Sequence, residues 1–160
     1  MVDWITHLLI PWVSLTLIQL RSPRITNRDI TIVMLGAVIP DIFAIAYLLS
    51  WLGVDASAFL LPFHTPVGSL VVAAVASFLF SRKSRIFSLL AVGIASHFAL
   101  DALLMHVAGG MALLFPFNWT IGFQLGLVPS DSWIPTLASI VAASLLFLAI
   151  KLRPRAKAIR

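Results

Sequence analysis

The stretch Ser96-His97-Phe98-Ala99-Leu100-Asp101 sets an imidazole and a carboxylate four residues apart in a run that is otherwise almost wholly apolar. On a helix, positions i and i+4 share a face, so both side chains can close on one ion. An ionised aspartate in hydrocarbon costs about 2.5–3.5 kcal/mol on the insertion scale, and a helix that carries this cost usually has a use for it. Four further candidate ligands, His7, Asp41, His64 and His106, lie in similarly apolar surroundings. They are expected to converge on the pair. Histidine and aspartate in a chain without cysteine suit zinc or a similar divalent ion. Two other uses fit the same residues: a proton relay in an ion-coupled transporter, and a closed metal site that only ties helices together.

The elements that must hold these residues are membrane helices. Of 160 residues, 61% are hydrophobic and 11% charged, against about 25% charged in soluble domains. The expected fold is all-α: one integral-membrane domain over 1–160, a bundle of about five transmembrane helices. The apolar segments run over about 4–20, 29–52, 66–80, 86–105 and 133–152. Pro11 should kink the first, and Pro40-Asp41 interrupts the second. The stretch 107–132 is too apolar for an ordinary loop and reads as re-entrant or interfacial, anchored by Phe115, Phe117 and Trp119. Gly122 and Gly126 form a GxxxG within it.

The net charge of +5 invites a nucleic-acid reading, but its placement opposes one. All eleven Lys and Arg fall in three clusters, at Arg21/Arg24/Arg28, Arg82/Lys83/Arg85 and Lys151 to Arg160. These punctuate the apolar segments as cytoplasmic loops do. The partner implied is the lipid bilayer, not nucleic acid. Asp3 precedes the first segment and the arginines follow it, so that segment is expected to be a retained helix with its N-terminus outside. The topology is then N-out and C-in, multi-pass in the cytoplasmic membrane.

Helical rise sets rough depths. Asp41 comes about 18 Å into a core of about 30 Å, His97 about 16 Å and Asp101 about 22 Å, counted from the basic side. His7, His64 and His106 fall at outer helix ends. The candidate ligands therefore occupy the middle-to-outer half, where no Lys or Arg is near enough to neutralise two aspartates. Protonated histidines, protons or a metal remain.

Read in order, His7, Pro40-Asp41, His64-Thr65-Pro66-Val67-Gly68-Ser69 and Ser96-His97-x-x-x-Asp101 resemble the inner-membrane-associated, metal-dependent hydrolases of the YdjM type. Phe115-Pro116-Phe117-Asn118-Trp119 is similar to their late aromatic segment, so the likeness covers most of residues 4–120. Many members carry a second histidine where this chain has Gly68. The order His, Asp, His, His-x3-Asp also resembles the ligand order of the zinc-dependent phospholipase C and P1-nuclease superfamily. That resemblance implies a main site of Asp41, His64, His97 and Asp101, with His7 and Asp101 at a second ion. The superfamily closes its cluster with a later His-x3-Glu; this chain has no glutamate and no histidine after His106. One or two ions, zinc by that likeness, are then implied rather than three. The implied chemistry is hydrolysis of a phosphoester in a lipid or lipid-linked substrate at the outer face. Asp41 would orient water, and His7 or His106 would protonate the leaving group.

Overall fold

A computed structural model describes residues 4–105, 112–118, 122–129 and 131–153. Helix α1 spans Trp4–Arg21 and continues through Pro11. Helix α2 spans Asn27–Val38 and starts at a capping box. There the Thr26 side chain accepts from the Asp29 N–H, while the Asp29 carboxylate accepts from the Thr26 N–H. Pro40 has no N–H to continue the ladder, so the chain tightens into a 3₁₀ turn over Ile39–Ala44 before α3, Ile45–Trp51.

A short helix α4, Ser57–Leu60, and a second 3₁₀ turn, Leu61–His64, lead into α5, Pro66–Ser77. Proline at the first position of α5 is pre-set for helix, and Thr65 caps it by accepting from the Gly68 N–H at 3.1 Å. Helix α6 spans Lys83–Ala102, and α7 spans Ile134–Leu152. Segment four was expected to stay helical to 105. It instead leaves the helix after Ala102, and Leu104–Met105 (β1) pair in parallel with Val128–Pro129 (β2). The N–H groups of Leu125 and Leu127 donate to the carbonyls of Ala102 and Leu103, which satisfies helix-end acceptors that would otherwise be orphaned.

Among the described residues, three helical stretches are long and apolar enough to cross a membrane: Asn27–Trp51, Lys83–Ala102 and Ile134–Leu152. Ser57–His64 with Pro66–Ser77, bent by 86°, would make a fourth if the pair counts as one span. The first apolar segment, α1, is not among them; His7, Gln19 and Arg21 dilute it. Within the expected re-entrant stretch, residues 107–111, 119–121 (Trp119 among them) and 130 lie outside the described residues, as does His106 before it. Its described part holds no helix, and Gly126 sits at a φ of 63°, a turn conformation and not a helical GxxxG register.

A core of Ile32, Ile86, Leu90, Ile94 and Phe98 lies between α2 and α6, but on α5 and α7 burial is reversed relative to a soluble protein. On α5, Ser69, Ala73 and Ser77 are buried while Val71 and Val75 are exposed; on α7, Ser139 and Ala143 are buried while Leu137, Val141 and Leu145 are exposed. Small and hydroxyl residues inside with large aliphatics outside is the packing of helices in lipid. The tightest contact is between α2 and α6, where Gly36 faces the Leu90 backbone and Gly93 faces the backbone of Val33 to Ala37. No side chain separates the helices there, and the backbones touch.

Candidate metal centre

Helices α2 and α6 run parallel, with Asp29 and Arg85 paired at their starts and Ala37 meeting His97 near their ends. Ala37 is among the last four residues of α2, whose carbonyls lack helical partners. One such carbonyl accepts from His97 Nδ1 at 2.8 Å. The Pro40 carbonyl, in the 3₁₀ turn, accepts from His64 Nδ1 at 3.1 Å. His64 is itself held by a clamp: Thr65 Oγ1 donates to the Pro62 carbonyl and Ser69 Oγ to the Phe63 carbonyl, both at 2.6 Å.

A carbonyl only accepts, so both Nδ1 atoms carry the proton when the rings are neutral. The Nε2 lone pairs of His64 and His97 are thereby turned inward. They face Asp101 Oδ2 at 3.4 and 3.2 Å, and His7 Nε2 lies 3.4 Å from Asp101 Oδ1. Asp41 Oδ2 stands 3.9 Å from His97 Nδ1. His7 stacks on His97 with ring centroids 3.8 Å apart, and His64 meets the same ring edge-on.

The site is dry. His7 and His97 are 1% and 0% exposed, and Asp41 and Asp101 are buried. Only His64 keeps a partly open flank, its side chain 20% exposed. His7 Nδ1, Asp41 Oδ2 and His97 Nε2 are buried without a hydrogen-bond partner. An unsatisfied buried polar atom costs about 1–3 kcal/mol, and here three occur within one cluster. Imidazole lone pairs pointing at a carboxylate repel unless a cation lies among them.

The donor set fits a divalent ion. His7, His97 and Asp101 form one group and Asp41, His64 and His97 another, each with ligand atoms within 4.8 Å of one another. Ligands at about 2.0–2.1 Å from a tetrahedral zinc lie about 3.3 Å apart, close to the separations around Asp101. The Nδ1–carbonyl bonds are the outer-shell partners that metal-ligating histidines usually have. The five candidate ligands expected from sequence thus come together, with His97 common to both groups; the expected partition instead shared Asp101, between a main site with Asp41, His64 and His97 and a second ion with His7. His106 lies outside the described residues.

Sequence reasoning missed the backbone half of the site: the Ala37 and Pro40 carbonyls, the Thr65–Ser69 clamp, and Gly36 with Gly93. Gly93 sits one turn before His97, a spacing that could have flagged it. Gly68 is also explained, since a Cβ there would run into the Pro62 carbonyl.

A family model of the YdjM inner membrane protein matches residues 1–158. The chain belongs to that family. No curated protein and no solved structure matches it. The YdjM match establishes an inner membrane protein with several apolar helices, and its buried His/Asp groups could hold a metal ion.

Proposed function

We propose that this YdjM-family chain is a membrane-embedded metal-dependent hydrolase acting on phosphoester bonds of lipid or lipid-linked substrates. It would be a single five-helix unit, N-out and C-in, with its site toward the outer face. The observation that carries the reading is the inward turn of the His64 and His97 Nε2 lone pairs onto a buried carboxylate. His7, Asp41, His64, His97 and Asp101 would hold one or two ions, zinc being the best match to nitrogen and oxygen donors.

The chemistry that such an ion supplies is Lewis acidity toward a phosphoryl oxygen and a lowered pKa for water. Asp41 presents a buried carboxylate oxygen without a hydrogen-bond partner, suited to orient water and take its proton. His64, on the open flank, lies where a substrate would enter. His7, expected with His106 as a proton donor, is sealed under His97 and better suits a ligand; the proton for the leaving group would then fall to His106. The Phe43 and Phe98 rings lie against His64, and Phe98 also against His97, where they would help keep bulk water out. The close α2–α6 contact at Gly36 and Gly93 would narrow a path along that seam toward Asp29 and Arg85, which supports hydrolysis over transport.

The test is metal content of detergent-purified protein by mass spectrometry, with His97→Ala and Asp101→Ala alongside, followed by phosphoester turnover. Near-stoichiometric metal should vanish in both variants, and Asp41→Asn should fold but lose turnover by about 10²–10⁴. A folded wild type that stays metal-free after reconstitution sinks the hydrolase and brings the proton relay forward.

A further inference from the structure

A second polar concavity, of about 360 Å³, lies at the opposite end of α2 and α6 from the His/Asp cluster. Arg28 and Asp29 of α2, with Arg82 and Arg85 at the start of α6, line it, and the buried Ile32 and Ile86 add an apolar lining. Because the two helices run parallel, the positive ends of both macrodipoles open on this one cavity. The start of α2 is closed by its capping box, whereas the start of α6 has no side-chain cap.

Asp29 is the single acid among the described residues lining the cavity. Both its oxygens take Arg85 Nη2 at 2.9 Å, and one also accepts from Thr26. Arg28 and Arg82 therefore face the cavity with no acid in the lining left to pair them. Three guanidinium groups against one carboxylate leave a surplus of two positive charges. Guanidinium forks match phosphate oxygens in geometry as well as charge. The turn between α5 and α6 carries exposed Phe78 and Leu79 beside the cavity, an apolar surface suited to acyl chains.

We infer that this cavity binds the phosphate of an anionic lipid headgroup, with Arg28 and Arg82 as its principal contacts. The site is separate from the metal centre: Arg85 and His97 are twelve residues apart on α6, about 18 Å along the helix.

The whole protein is exchanged into micelles holding equal phosphatidylglycerol and phosphatidylcholine, and retained lipid is counted by native mass spectrometry. Wild type should keep phosphatidylglycerol over phosphatidylcholine by about tenfold, the scale of one charge-assisted hydrogen bond. The Arg28→Ala/Arg82→Ala variant should lose that preference. Lys151→Ala/Arg153→Ala removes the same charge at the end of α7 and should keep it. Circular dichroism confirms that both variants are folded. Retention of phosphatidylglycerol in excess inorganic phosphate supports the lipid; displacement by phosphate overturns it in favour of a soluble anion. Equal retention of both lipids by wild type, or an equal loss in both double variants, overturns the cavity as a site.

Discussion

Gly93→Ala isolates how helix packing aims the metal ligands. A Cβ at Gly93 would stand 2.6 Å from the Ala37 nitrogen and 2.8 Å from the Gly36 carbonyl carbon, where ordinary contact begins near 3.4 Å. These atoms are backbone, so relief comes only from α2 retreating. The Val33 carbonyl would stand closer still, so the retreat is at least the difference between 3.4 and 2.6 Å, roughly 0.8 Å. Added to the 2.8 Å bond from His97 Nδ1 to Ala37 O, it gives about 3.6 Å, beyond hydrogen-bonding reach. Overpacking of this kind costs about 1–3 kcal/mol. Loss of the outer partner of a ligating histidine costs about 10–100-fold in metal affinity. The assay is competition with a chromophoric chelator, run beside thermal unfolding in detergent. Val92→Ala, on the exposed neighbour of Gly93, should stay within about 0.5 kcal/mol. A Gly93→Ala protein that binds metal as tightly as wild type would refute the idea that this contact orients His97.

Thr26→Ala removes the side-chain half of the α2 capping box and should cost about 1 kcal/mol in unfolding; metal content, read in the same preparation, should stay unchanged. Gly68→His would set a further histidine four residues after His64, but against the Pro62 carbonyl. It should destabilise by about 1–3 kcal/mol and lower the metal content by moving His64; an extra ion bound at wild-type stability would contradict this. Ser69→Ala breaks the bond to the Phe63 carbonyl and should cost about 1 kcal/mol, with a matching fall in metal affinity in the chelator assay.

The sequence by itself determined the membrane class, the positions of the helices and the identity of the polar residues. Charge depletion and long apolar runs are one-dimensional quantities, and a capping box or a Pro-Asp break is a local one. The expected segments 29–52 and 133–152 differ from Asn27–Trp51 and Ile134–Leu152 by a residue or two. Residues His7, Asp41, His64, His97 and Asp101 were legible because an ionisable group in an apolar run stands out wherever the chain carries it.

Only the tertiary structure decided how those residues face one another. Which nitrogen of His64 and His97 points inward depends on the Ala37 and Pro40 carbonyls, and every residue type supplies a carbonyl. The end of α6 at Ala102 follows from β2 pairing with β1, a contact between residues more than twenty positions apart in the chain. The sharing of His97 between two ligand groups arises because glycine at Gly36 and Gly93 lets two backbones touch. Periodicity reports which face of a helix is apolar; it carries no information about how closely another helix approaches that face, and here that distance builds the site.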